Sequence, residues 1–328
     1  MLLGITAVSL YLLAPALAQV FGSFPRLVDL SPLWFAAMLL VEVCSYGCMW
    51  SIQRLALRTK EWTPVITSQL AAAAFGAVVP GGLAAAGALQ YSMLTRGGVS
   101  QSRAASGMTA ASLIVFGSLL ALPILTLPAI LGGAPVERGL QTAAIAGGVL
   151  FVLVALGGVV AFLYDRPLAA VARAIQAVRN RFAGKREPWR GLPDRFLAER
   201  DLVRRTLGKR WWQAALFASG RWLFDYLALL AALTAVGANP RPSLVLLAYC
   251  AAQGLGTLPL TPGGLGFVEA GLTGTLALAG VPGGQAVVAT LAYRLVSFWL
   301  PIPAGAAAAV LHRRRYGAVD AEPLPSGG

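Results

Sequence analysis

Residues 244–280 form an apolar stretch that no unbroken helix can cross, because Leu258-Pro-Leu-Thr-Pro-Gly-Gly-Leu-Gly-Phe-Val-Glu269 lies in its middle. Pro259 and Pro262 remove backbone donors, and Gly263, Gly264 and Gly266 permit tight turns. The setting makes the break expensive. Only 12% of the chain is charged, against about 25% in a soluble domain, while 57% is hydrophobic and the mean hydropathy is +0.71. This is the composition of a polytopic membrane protein. At membrane depth an irregular backbone is tolerated only where other protein or a water-lined cavity satisfies it. A break here therefore has to be wrapped by further helices.

A fainter copy lies 182 residues earlier. Val79-Pro80-Gly81-Gly82-Leu83 aligns with Thr261-Pro262-Gly263-Gly264-Leu265, with Ala84 in place of Gly266 and Gly87 in place of Glu269. Apolar segments long enough to span, roughly 20 residues, occur at 2–20, 32–53, 103–131, 141–164, 211–236 and 284–310. The interrupted regions 62–95 and 244–280 have second arms of about 15 residues, or ~22 Å, short of the ~30 Å hydrocarbon core. The expected form of each is a re-entrant helical hairpin. The expected fold is thus all-α, with about six full spans and two hairpins. Met1–Gln19 ends in Ala16-Leu17-Ala18 but has no Lys or Arg before Arg26, so an uncleaved first span is expected rather than a signal peptide; a true start upstream of Met1 is an open alternative.

The positive-inside rule orients these segments. Residues 165–210 hold 13 basic and five acidic residues and are assigned to the cytoplasm. Walking outward places Arg54, Arg58, Lys60, Arg96, Arg103 and Arg313–Arg315 on the same side, so 21 of the 26 basic residues are cytoplasmic and both termini lie inside. The two Pro-Gly-Gly breaks then enter from opposite faces between matching spans. That is an inverted repeat, in which discontinuous helices meeting near the midplane commonly form a substrate site. A third Pro-Gly-Gly, at 282–284, falls in an expected loop, so the weight rests on placement and not on the tripeptide. The halves are 1–164 and 211–312. Between them 165–210 is a basic cytoplasmic loop whose segment Leu168–Phe182 reads as an amphipathic helix suited to the anionic inner leaflet. A disordered tail, 313–328, follows.

Glu42, Arg221, Asp225, Glu269 and Arg294 are ionisable groups inside apolar spans, and such groups mark functional sites by default. Arg221 and Asp225 are spaced i,i+4 on one helical face, and Glu42 falls one residue from the repeat equivalent of Asp225. The alternative role for these groups is mutual pairing inside the bundle. Arg294 is suited to a phosphate, and Glu269 to a cationic headgroup or to gating by protonation. Pro80, Gly81, Gly82, Pro262, Gly263, Gly264 and Gly266 complete the candidate path. Tyr249 and Gln253, near the second hairpin, are candidates for lining a cavity or for satisfying freed backbone groups. Basic residues flank apolar spans, which argues against a nucleic-acid partner. One histidine, His312, and Cys44, Cys48 and Cys250 in apolar segments give no metal cluster and no cofactor motif.

The stretch Leu258–Leu272, followed by Tyr293-Arg294-Leu295 and Ser297-Phe298-Trp299, resembles the flippase-like membrane domain of the lysylphosphatidylglycerol synthase family. The matching positions are Pro259, Pro262, Gly263, Gly264, Gly266, Glu269 and Arg294. The N-terminal half departs from the family pattern at Ala84–Gln90, where polar or charged residues often follow the first break. The resemblance implies translocation of a phospholipid or lipid-linked substrate across a bacterial inner membrane, without the family's soluble synthase domain. A non-transporting accessory protein of lipid or envelope synthesis is the alternative expectation, with a homo-oligomer or a lipid-synthesis enzyme as partner. A membrane-embedded enzyme is disfavoured, since no nucleophile–base set is visible.

Overall fold

The structure is a computed structural model and describes residues 31–79, 82–122, 156–157, 160, 164–182, 190–256 and 262–317. The expected span 2–20, nearly all of 141–164, the residues Pro80 and Gly81, and the tail beyond 317 lie outside the described residues. Among the described residues there are helices and no strands.

The long helix α1, Pro32–Leu57, starts with proline at its first turn, where the missing N–H is no loss. It stops where Arg58 turns left-handed (φ 50°) and returns its N–H to the last carbonyls. Two arms follow, α2 (Thr63–Val78) and α3 (Leu83–Arg96), then α4 (Gln101–Ala121). Helices α5 (Asp165–Phe182) and α6 (Leu192–Leu207) pack on each other. Then come a long helix α7 (Trp211–Ala235), two arms α8 (Pro242–Gly256) and α9 (Phe267–Leu278), and α10 (Gly283–Arg294) and α11 (Pro301–Tyr316). Among the described residues three segments are long and apolar enough to cross a membrane: α1, α7, and the continuous run Gly283–Tyr316. The region 165–210, expected to hold one helix, therefore holds two. Arg200 of α6 ties them together by pairing with Asp165 at the start of α5, at 2.6 Å.

Helix α10 passes into α11 through a wide turn over Leu295–Trp299, where the Leu300 N–H reaches the Leu295 carbonyl at 2.9 Å. Pro301 and Pro303 lack donors and crowd the preceding turn, and a π-type turn accommodates this without breaking the helix. The largest core joins Met38 of α1, Trp222, Leu229 and Leu233 of α7, Tyr249 of α8, Leu272 and Leu276 of α9 and Tyr293 of α10. A second cluster, with Ile52, Ala110, Ala111 and Ala218, knits α1, α4 and α7.

Helices α1 and α7 lie side by side, as do α2 and α11. Apolar side chains gain little by leaving lipid for protein, so association depends on close approach of small residues. A Cβ on Gly220 would sit 2.9 Å from the Cys48 sulfur across the α1–α7 contact. One on Gly305 would sit 2.3 Å from the Leu70 carbonyl oxygen and 2.5 Å from the Ala74 Cβ. The Leu70 carbonyl is backbone and cannot swing aside. Gly305→Leu is therefore expected to destabilise the protein by about 1–3 kcal/mol or more through overpacking. A lowered melting temperature in detergent checks this, with Gly274→Leu, whose Cβ would meet nothing within 4 Å, as the neutral comparison.

Candidate functional site

The second break begins as a single tight turn, Pro262–Gly264, in which Gly263 (φ 58°) and Gly264 (φ 70°) are both left-handed. Gly266 (φ 80°) follows and starts α9. Its N–H donates to Glu269 Oε2 at 2.7 Å, so the carboxylate caps the helix start three residues back. The other oxygen of Glu269 accepts from Arg294 Nε at 2.7 Å. Arg294 in turn donates Nη2–H to the Gly263 carbonyl at 3.2 Å and lies 4.1 Å above the Phe298 ring. One carboxylate and one guanidinium thus tie the turn at Gly263 to the start of α9. Glu269 and Arg294 are about nine-tenths buried.

The turn also meets the first half, packing on α2. A Cβ on Gly263 would fall 3.2 Å from the Ala77 carbonyl and 2.4 Å from the Phe298 ring. Ala77 lies two residues before Val79, where α2 ends, and Gly82 opens α3 with its N–H on the Val79 carbonyl at 2.9 Å. The described ends of the two breaks are therefore neighbours. Pro262–Gly264, Gly266, Glu269, Arg294 and the α2 end before Gly82 form one cluster.

A second cluster lies between α1 and α7. Asp225 Oδ2 accepts from Gln253 Nε2 at 2.8 Å, from the Tyr293 hydroxyl at 3.0 Å and from the Tyr249 hydroxyl. Glu42 reaches Asp225 from α1. Arg221 donates to Ser45 Oγ at 3.0 Å, and Ser45 Oγ itself donates to the Arg221 carbonyl at 3.0 Å. The i,i+4 spacing of Arg221 and Asp225 thus places them near each other without closing an ion pair. Trp222 is buried and donates to Ser118 of α4 at 2.9 Å.

The five intramembrane ionisable residues therefore fall into two groups, Glu42, Arg221 and Asp225 on one side and Glu269 with Arg294 on the other. Tyr293 and Arg294, adjacent in α10, face one group each. Sequence reasoning missed Ser45, and Phe298 enters it only as part of a motif. Tyr249 and Gln253 share one acceptor, Asp225; their i,i+4 spacing on α8 is the sign in the sequence that both face the same way. Gln69 and Gln90 turn to α1, where Trp50 Nε1 donates to Gln69 at 3.0 Å and Gln90 donates to Gln53 at 3.1 Å. His312 is fully buried against Thr67 at 2.7 Å, away from both clusters. Among the described residues no group of three or more His, Cys, Asp or Glu side chains is arranged to hold a metal.

A UPF0104 membrane protein of Methanothermobacter thermautotrophicus is 34% identical over 85 residues, which is 26% of this chain and 25% of that protein. The match thus spans about a quarter of the relative's length. The profile of the lysylphosphatidylglycerol synthase TM region matches residues 1–305, taking in both breaks, both charged clusters and nearly the whole chain. The protein is a member of the lysylphosphatidylglycerol synthase TM region family of membrane proteins.

Proposed function

We propose that this protein moves a phospholipid or lipid-linked headgroup between leaflets of a cell membrane, through a path formed where its two broken hairpins meet. The observation that carries the reading is the Pro262–Gly264 turn, latched by Glu269 and Arg294 and seated against the end of α2 beside the first break. A guanidinium whose carboxylate partner is also a helix cap is suited to exchanging that partner for a lipid phosphate. Arg294 would then bind the headgroup, while Glu269 releases it or receives a cationic group.

The two hairpins are read as re-entrant and inverted, in a protein with both termini in the cytoplasm. Matched packing pairs support this. Helix α1 meets α4 as α7 meets α10; α3 meets α4 as α9 meets α10; α2 meets α3 as α8 meets α9; and α1 and α7 meet each other. Cysteines placed at 80 and 262, with Cys44, Cys48 and Cys250 replaced, are expected to label from opposite sides of sealed vesicles; labelling from one side would remove the repeat. Helix α5 is read as resting on the anionic inner leaflet, since Val171 and Ile175 are exposed one turn apart on one face while Arg166 and Arg173 are exposed on the other.

The test is headgroup movement in proteoliposomes carrying fluorescent phosphatidylglycerol or phosphatidylethanolamine. Glu269→Gln forfeits a charge-assisted hydrogen bond of roughly 1.5–3 kcal/mol, and the wild-type rate is expected to fall at least about tenfold. Wild-type movement that the variant retains would displace the path from the second break. No movement of either lipid by wild type would favour an accessory role or a different lipid-linked substrate.

A further inference from the structure

The seam between α1 and α7 carries an unbalanced charge. Asp225 Oδ2 takes three donors, from Tyr249 and Gln253 of α8 and Tyr293 of α10, which is the pattern of an acceptor-only carboxylate. The Glu42 carboxyl reaches the same group. Yet Glu42 Oε2 is enclosed without a hydrogen-bond partner, and the residue is only 4% exposed. Among the described residues the nearby cation is Arg221, which is turned to Ser45 and lies 5.1 Å above the Trp222 ring. The other charged or titratable groups facing the pair are Tyr46 of α1, Tyr249 of α8, Tyr293 of α10 and, beyond it, Arg294, whose charge is matched by Glu269. Among the described residues two carboxyl groups face one guanidinium, so ionising both leaves the cluster one positive charge short of neutrality, and an isolated buried charge is strongly disfavoured.

We propose that Glu42 and Asp225 together bind one small monovalent cation, a proton or an alkali ion. The two carboxyl groups and the hydroxyls of Tyr249 and Tyr293 supply oxygen donors of the kind such an ion takes, and the unpartnered oxygen of Glu42 is the open position. The site joins the two long helices that occupy corresponding places in the two halves of the chain. Resting on the lipid-transport reading above, it is the point at which a cation gradient drives that transport, since relative movement of α1 and α7 would make and break it.

The experiment uses the purified full-length protein in detergent. Its melting temperature is followed from mildly acidic to mildly alkaline pH in choline buffer, and at fixed pH as sodium chloride replaces choline chloride at constant ionic strength. A ligand that binds the folded state raises the melting temperature by mass action. Wild type is expected to gain several degrees with acid, with sodium, or with both, while Glu42→Gln loses that response. Glu61→Gln, an exposed carboxyl at the end of the α1–α2 connection, is expected to keep it. A response to sodium at fixed pH assigns an alkali ion, and a response to acid alone assigns the proton. As a readout that needs no variant to fold, dicyclohexylcarbodiimide is added to wild type and the modified residue is mapped by mass spectrometry; modification of Glu42 that sodium or alkaline pH suppresses is expected. Equal melting responses in Glu42→Gln and wild type, or modification indifferent to both cations, would overturn the proposal. These readouts require no lipid movement. Proteoliposomes in which Glu42→Gln moves lipid at the wild-type rate, ungoverned by any cation gradient, would remove the coupling and leave the lipid-transport reading standing.

Discussion

Arg294→Ala is expected to lose about 3–5 kcal/mol of stability, the usual consequence of removing one member of a buried ion pair. Three interactions vanish together: the 2.7 Å bond to Glu269, the 3.2 Å bond to the Gly263 carbonyl and the stack on Phe298. Glu269 retains its bond to the Gly266 N–H but loses the guanidinium that balanced its charge. The turn Pro262–Gly264 also loses the donor that ties its carbonyl to α10. Because Arg294 and Glu269 act on the same segment, their effects will not add. The double variant Arg294→Met with Glu269→Gln removes both charges and is expected to melt closer to wild type than Arg294→Ala alone. That rescue separates the penalty of an unpaired buried charge from the missing hydrogen bonds and stacking. Lipid movement should vanish in both variants if Arg294 holds the headgroup. Melting of Arg294→Ala at the wild-type temperature would show that the pair contributes little to holding the break.

The break itself was legible because proline and glycine act locally. The interrupted regions 62–95 and 244–280 each appear as two helical arms, ending at Val78 and starting at Leu83 in the first, and ending at Gly256 and starting at Phe267 in the second. Glu269 and Arg294 were legible because charge inside an apolar run is conspicuous. Which groups they meet was not. In a soluble helix the apolar stripe shows which face is buried, whereas here α1 exposes Leu39, Leu40 and Val43 and buries Glu42 and Ser45. The ordinary pattern is inverted, since the outward face of such a helix is apolar too. Partners such as Tyr249 and Tyr293 are set by the crossing of α7 with α8 and α10, a long-range matter on which local periodicity is silent. Helix α6 was missed for the opposite reason. Its dense charge read as a cytoplasmic loop, although one of those charges, Arg200, is buried against Asp165.

Asp225→Ala is expected to be the more damaging change in the central cluster, because a single oxygen there serves three donors. Removing it leaves the hydroxyls of Tyr249 and Tyr293 and the amide of Gln253 facing one cavity; the two tyrosines are buried and Gln253 is half-buried. Gln253 retains a bond to the Tyr293 hydroxyl at 3.2 Å, which limits its loss. An unsatisfied buried donor costs about 1–3 kcal/mol, so the sum is expected to exceed roughly 3 kcal/mol even after that adjustment. Asp225→Asn separates the geometric part from the charge. The amide keeps a carbonyl acceptor for the tyrosines and presents an NH₂ to Glu42, which would fill the open position on Glu42 Oε2. Asp225→Asn is therefore expected to melt well above Asp225→Ala, close to wild type, while abolishing any response to added cation. Equal melting of the two variants would mean that the three donors find other partners and that Asp225 does not organise the seam between α1 and α7.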